Sequence, residues 1–195
     1  MAAPGVKVAV IGAGTIGLSF AALHLAKNLG CNVTIYDTRP DLSKYVDEKL
    51  CQYLVDADLE ECKSRVQIAE SLAKAVETAN IVQEQGPENA DFKRTTWAQV
   101  EQLAPQNALF WSSTSGIPAS EQNKDMKDQS RLVVVHPYNP PHIMPLLEVV
   151  PSPETSQEVI DRTLEYWRSL GRVPVLIRKE CTGFVANRLA FALFR

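Results

Sequence analysis

Long apolar runs are missing from this chain. None of its 195 residues sits in a stretch approaching the roughly 20 apolar residues that a membrane-spanning helix needs, so a membrane span is not expected. Basic runs are missing too. The formal net charge is −3, and without a lysine- or arginine-rich segment neither nucleic acid nor an anionic membrane is an expected partner. Cysteine is sparse: Cys31, Cys51, Cys62 and Cys181 are scattered, with no CxxC pair and no histidine at metal-ligand spacing. They read as free thiols of a reducing compartment, and no metal site is expected. Met1-Ala-Ala-Pro leads almost directly into the first β-like run, leaving no room for a targeting peptide, so the expected location is cytoplasmic. The length suits one well-formed core, or one domain and a piece of another.

What the chain does have is a glycine-rich turn between two elements. Val6-Lys-Val-Ala-Val-Ile-Gly-Ala-Gly-Thr-Ile-Gly17 begins as a run of β-formers, stops at Gly12, and passes through Gly14 and Gly17 into a helical pattern. The chemistry suits a dinucleotide. Gly12 permits the tight turn, Gly14 lets backbone approach a pyrophosphate, and Gly17 lets helix and strand pack closely. The helix start around Ala13, Thr15 and Ile16 offers free N–H groups and a partial positive charge to phosphates. Asp37 closes a second β-like run, Val33 to Tyr36, twenty residues after Gly17, where a carboxylate can accept the ribose hydroxyls. A carboxylate there repels a 2′-phosphate, so NAD is preferred over NADP. Arg39 weakens that preference, since its guanidinium can bind phosphate or stack on adenine.

Strand and helix patterns alternate along the rest of the chain. Helices are expected at Thr15–Leu29, from Pro40 to about Asp58, at Ser71–Val76, at Ala90–Leu103, from Pro118, and at Glu154–Leu170. Strands are expected at Val66–Ala69, Asn80–Gln85, Ala108–Ser113, Arg131–His136, Leu146–Val150 and Val173–Ile177. Gln122 to Ser130 is polar and expected at the surface, and His24 is expected to be structural, exposed or half-buried. The alternation predicts an α/β class: a doubly wound, mostly parallel sheet with helices on both faces. Polar residues recur where strands end, at the glycine loop, at Asp37, at Gln85–Asn89, at Ser113–Ser115 and at His136. Ligands of open α/β sheets bind along that edge, so these stretches are expected to meet at one site. The last residues, from Thr182, form a helix apolar around most of its circumference (Phe184, Leu189, Phe191, Leu193 and Phe194), which expects partners beyond the chain.

Two residues carry the candidate chemistry. Histidine titrates near neutrality, so His136 at a strand end can accept a hydroxyl proton while a hydride leaves the same carbon. Glu148, flanked by Leu and Val, needs a polar partner, and a carboxylate on the other ring nitrogen would fix the tautomer of His136. Ser115 can hydrogen-bond the reacting oxygen.

His136-Pro-Tyr-Asn-Pro-Pro, Pro-Leu-Leu-Glu148-Val-Val and Gly-Phe-Val-Ala-Asn-Arg-Leu, together with the glycine motif, resemble the NAD-binding domain of the 3-hydroxyacyl-CoA dehydrogenase family over nearly the whole chain. The resemblance implies NAD as cofactor and proton transfer by His136 with Glu148. It implies substrate contacts from Ser115 and Asn187, and places Glu88, Lys93 and Asn139 on the nicotinamide half. For Lys93 the alternative is a solvated helix charge, and for Asn187 a hydrogen bonder at a helix end. Gln-Glu-Gln-Gly-Pro-Glu-Asn, Ser-Ser-Thr-Ser-Gly and His-Pro-Tyr-Asn-Pro-Pro-His are more similar to the branch containing lambda-crystallin, L-gulonate 3-dehydrogenase and carnitine dehydrogenase. That branch implies a small hydroxy acid in place of a hydroxyacyl-CoA. The family also carries a helical C-terminal domain that forms most of a homodimer interface. The expected division is therefore 1–180 for the NAD-binding domain and 181–195 for the first helix of a helical domain otherwise missing.

The expected function is an NAD-dependent dehydrogenase that oxidises a 3-hydroxyl to the 3-oxo compound. The competing expectations are a truncated or crystallin-like NAD-binding module without turnover, and a Rossmann sensor unrelated to hydroxy acids, in which the His136/Glu148 pair is accidental.

Overall fold

A computed structural model describes residues 5–27, 30–54 and 57–194. Among the described residues eight strands form one sheet: β1 Lys7–Ile11, β2 Asn32–Tyr36, β3 Val66–Ile68, β4 Ile81–Glu84, β5 Leu109–Ser112, β6 Leu132–Pro137, β7 Leu146–Pro151 and β8 Val173–Leu176. Eight α-helices among the same described residues accompany them: α1 Thr15–Lys27, α2 Leu42–Lys49, α3 Leu59–Ser64, α4 Leu72–Val76, α5 Ala90–Leu103, α6 Ala119–Gln122, α7 Gln157–Ser169 and α8 Ala186–Leu193. The sheet order is β3-β2-β1-β4-β5-β6-β7-β8, and the strand order reverses between β1 and β4, which pair parallel. That reversal opens a crevice at the strand C-termini, which is where the glycine turn lies.

Both faces of the sheet are covered, and alternation along each strand decides which residue goes where. Val8 and Val10 of β1 join the cluster built with Phe20, Trp111 and Trp167, while Ala9 and Ile11 join the one built with Trp97, Val100 and Phe110. Every residue of β4, β5 and β6 is buried. These central strands therefore read as continuous apolar runs that admit only partnered polar side chains.

Four expectations are corrected. The helix from Pro40 does not continue to Asp58: α2 ends at Lys49, a short 3-10 turn follows, and Asp58 instead caps α3 by accepting from Glu61 N at 3.0 Å. Part of that stretch, and the end of the helix placed at Thr15–Leu29, lie outside the described residues, as does Met1-Ala-Ala-Pro. The tract Gln122–Ser130 is not wholly surface, because Gln122 and Asn123 are buried. Gln122 Oε1 accepts from Trp97 Nε1 at 3.1 Å, and Asn123 Nδ2 donates to Ser152 Oγ at 3.3 Å. Phe184 is not part of the terminal helix; it sits in the preceding turn, buried, at φ 50°. Finally, His24 is fully buried, not half-exposed. It bridges α1 to Tyr166 of α7 and Gln83 of β4, each at 2.8 Å.

Burial lowers the His24 pKa from 6.5 to about 4, against a smaller opposing effect of the Gln83 hydrogen bond. Between those values the unfolded chain holds a proton that the folded chain does not, so stability falls as pH falls through this window. The expected loss from His24 alone is about 2 kcal/mol at pH 5 relative to neutrality, measurable by urea unfolding at both pH values. A flat profile between pH 7 and 5 would contradict a neutral, buried His24.

Candidate active site

Gly12 ends β1 with φ 98°, and a Cβ there would lie 2.9 Å from the Gln85 carbonyl oxygen. At Gly17 a Cβ would lie 1.9 Å from the Gly12 carbonyl oxygen, so helix α1 can sit this close to the turn only with glycine. Gly14 differs: nothing lies within 4 Å of its would-be Cβ, and the turn presents open backbone there. Ala13 N donates to Asp37 Oδ2 at 2.7 Å, which ties the turn to the end of β2. A cavity of about 590 Å³ opens beside these residues, lined among others by Gly12, Gly14, Asp37, Arg39, Gln85 and Pro87.

Arg39 is held within this cavity wall. Its guanidinium carbon lies 3.6 Å over the Tyr45 ring, and its Nε is 3.6 Å from Asp37 Oδ1. The ring that it stacks on is a side chain of the protein itself. Asp37 takes Ala13 N on one oxygen and Arg39 N, at 3.0 Å, on the other. An ionised carboxylate keeps lone pairs beyond these for ribose hydroxyls.

A second cavity of about 390 Å³ lies across the glycine loop, lined by Ile16, Ser113, Ser115, His136, Tyr138, Asn139 and Asn187 among others. The sheet brings its two central residues together directly, because β6 and β7 pair antiparallel with His136 opposite Glu148. His136 Nδ1 is 2.7 Å from Glu148 Oε2, and both residues are buried. Glu148 Oε1 accepts from Val185 N at 3.0 Å and Ala186 N at 3.1 Å, where α8 begins. With both carboxylate oxygens occupied, the acid cannot turn away. An ionised Glu148 makes Nδ1 of His136 the protonated nitrogen and leaves the Nε2 lone pair as the ring's free acceptor.

The segment after β8 closes the site. Gly183 N donates to Gly116 O at 3.2 Å, and Asn187 Nδ2 donates to Ser115 O at 2.7 Å. Phe184 is inserted among Ala119, Val134 and Val150, with its ring centroid 5.5 Å from that of His136. Asn187 thus bonds at a helix start and lines the cavity at once.

Glu88 and Lys93 are both tied to partners within the protein. Glu88 Oε1 accepts from Thr114 Oγ1 (2.5 Å), Ser115 N (3.0 Å) and Gly116 N (3.0 Å), so its carboxylate shapes the serine loop. Lys93 is no solvated helix charge. It is 1 % exposed, lines neither cavity, and donates to both oxygens of the fully buried Glu84, at 2.9 and 2.8 Å. Glu84 also accepts from Gly86 N (2.5 Å) and Ser112 Oγ (3.2 Å), which anchors the Gly86-Pro87 turn bordering the first cavity. Lys93 is thereby joined through Glu84 to the turn beside the first cavity.

Sequence reasoning placed Ser113 at the strand-end edge without a role, and passed over Glu84 and Tyr138. For Glu84 a signal existed: a carboxylate at the end of a buried strand needs a partner by the same logic applied to Glu148. Tyr138 carries no comparable mark, since its place beside His136 depends on sheet order.

The residues present fit a dinucleotide: an open glycine at the turn, a carboxylate at the second strand end, and a cavity on each side of the loop. The profile of the family described as "3-hydroxyacyl-CoA dehydrogenase, NAD binding domain" matches residues 7–181. The chain is 36 % identical over 191 residues to a 3-hydroxyacyl-CoA dehydrogenase of Gibberella moniliformis, covering 95 % of this chain and 59 % of that one. It is 37 % identical over 196 residues to an L-carnitine dehydrogenase of Mesorhizobium japonicum, covering 97 % and 53 %. Among solved structures, an NAD+-dependent 5-dehydrogenase of 5-formyl-3-hydroxy-2-methylpyridine 4-carboxylic acid superposes with a TM-score of 0.86 at 30 % identity, over 97 % of this chain and 62 % of the other. The chain therefore spans between half and two thirds of the length of these relatives. It belongs to the 3-hydroxyacyl-CoA dehydrogenase family as an NAD-binding Rossmann-like domain, close to the branch that holds the carnitine dehydrogenases and lambda-crystallin.

Proposed function

We propose that this chain is the NAD-binding, proton-handling part of an oxidoreductase that oxidises the 3-hydroxyl of a hydroxyacyl-CoA or small hydroxy acid to the 3-oxo compound. The observation that carries the proposal is the His136–Glu148 pair at 2.7 Å, with the second carboxylate oxygen held by Val185 N and Ala186 N. NAD, when bound, supplies the acceptor for the hydride. His136 Nε2 takes the hydroxyl proton, and Glu148 holds the ring in the correct tautomer and stabilises the imidazolium that forms. Ser115 and Asn187 position the reacting oxygen, with their loop and helix locked together by the Asn187–Ser115 bond. Asn139 lines the same cavity. Asp37 selects NAD by accepting ribose hydroxyls, while Gly14 admits the pyrophosphate.

A small polar substrate is supported over an acyl-CoA by the cavity lining, which includes two serines, two asparagines, Tyr138 and His136. Residues 181–195 then contribute to the site through Asn187 and start a helical region. In this scheme a homodimer forms where the helical domain is present, and the exposed apolar side chains of α8, with Leu189 at 61 % and Phe191 at 66 % exposure, face that domain or the partner. No helix among the described residues is long and apolar enough to cross a membrane. A cytoplasmic location is part of the proposal.

The test is NADH formation when the chain is mixed with NAD and a panel of 3-hydroxy acids and their CoA thioesters. Turnover of the free acids exceeding that of the thioesters is expected. The exposure of α8 favours a second possibility, a dinucleotide-binding module without turnover. Saturable NAD binding with no NADH on any substrate that a full-length relative oxidises would establish it.

A further inference from the structure

Ser113 directly follows β5, and its hydroxyl belongs to a half-buried chain of hydrogen bonds with a single direction. The members of the chain beyond Gln83 are His24 of α1 and Tyr166 of α7. His24 Nε2 is 2.8 Å from Gln83 Oε1, an atom that only accepts, so Nε2 carries the proton. The neutral ring then leaves Nδ1 as an acceptor for the Tyr166 hydroxyl at 2.8 Å. With its oxygen fixed on His24, the Gln83 amide turns its nitrogen to Ser113 Oγ, donating at 3.4 Å. The Gln85 amide is satisfied only when its nitrogen faces Ile11 O (3.2 Å) and Gln83 O (3.1 Å). That orientation puts the Gln85 oxygen at the amide position 3.4 Å from Ser113 Oγ, where it accepts the Ser113 proton.

Ser113 Oγ is left with one lone pair and no proton to give. It lines the cavity that also contains His136, yet can serve there only as an acceptor. A substrate alcohol offers one proton, and in the function proposed above His136 takes it. A substrate ketone offers none. The nicotinamide carboxamide offers two N–H donors.

We propose that Ser113 binds the carboxamide amino group of the nicotinamide, and that Gln83, oriented by His24, is the residue that positions it as an acceptor. The assignment rests on NAD occupying the crevice as proposed above. It gives the cofactor ring a fixed rotation about its glycosidic link, and so fixes which ring face meets the cavity of His136.

The test uses equilibrium binding of two dinucleotides to the full chain: NAD, and its 3-acetylpyridine analogue, in which a methyl ketone replaces the carboxamide and removes its N–H donors. The unsubstituted chain is expected to bind NAD about fivefold more tightly than the analogue, the worth of one net hydrogen bond. In Ser113→Ala the NAD affinity should fall to that of the analogue while analogue affinity stays put. Ser113→Thr, which keeps the hydroxyl, should restore the preference. Gln83→Met should narrow the ratio as Ser113→Ala does, an effect that general destabilisation, weakening both ligands alike, would not produce. If the unsubstituted chain binds both dinucleotides and Ser113→Ala keeps the ratio, the assignment is overturned and the cofactor site stands. A chain that binds neither dinucleotide overturns both.

Discussion

His136→Gln is expected to lower turnover by roughly 10²- to 10⁴-fold while NAD affinity stays within about twofold. Glutamine keeps a polar group near Glu148 and a similar bulk beside Phe184 and Tyr138, whose ring centroids lie 5.5 and 5.9 Å from that of His136. It cannot take a proton, so the step lost is removal of hydrogen from the hydroxyl oxygen. The cavity bordered by Asp37 and Gly14 is separate from the one lined by His136, which is why binding should survive. Steady-state kinetics and NAD titration on the same preparation check both halves. Loss of NAD binding in this variant would make His136 a structural residue.

The second large effect is on stability. Lys93→Met is expected to destabilise the chain by about 3–5 kcal/mol, because it strands the Glu84 carboxylate in a dry interior. Neither Gly86 N nor Ser112 Oγ, its remaining partners, supplies a positive charge. Pairing Lys93→Met with Glu84→Gln removes the stranded charge and should recover much of the loss in urea unfolding. Equal stability for the single and double variants would contradict the account. Any Lys93→Met protein that folds should also bind NAD less tightly, since the Gly86-Pro87 turn loses its anchor.

Local pattern was enough for the parts of the site that are contiguous in sequence. The strand of alternating β-formers, the three glycines and Asp37 each constrain backbone or charge within a few residues, and β1, α1 and β2 form as their patterns predict. The separation of α3 from α2 was also legible, because Asp58 followed three residues later by Glu61 is a helix-start signal. The reversal of β7 was legible in principle: eight residues between β6 and β7 are too few for a parallel crossover, which needs a dozen or more.

Contacts distant in sequence were less accessible. That Lys93 turns inward to Glu84, and that Glu88 supports the Ser115 loop across 27 residues, depends on how β4, α5 and β5 stack. Hydrophobic periodicity puts Lys93 on a helix without saying that a carboxylate waits beneath it. His24 is similar. A polar residue in an apolar helix can be buried only if other elements bring partners, and Tyr166 and Gln83 arrive from 142 and 59 residues away.

Catalysis by this chain requires that it place a bound nicotinamide against a hydroxyl-bearing carbon with His136 beside it. The direct measurement is to incubate it with NAD and a 3-hydroxy acid carrying deuterium at C3, then assay the reduced dinucleotide for the label. Recovery of deuterium in the reduced dinucleotide, abolished by His136→Gln, is the predicted result. NAD bound with no label transferred, from a substrate that a full-length relative oxidises under the same conditions, would contradict it.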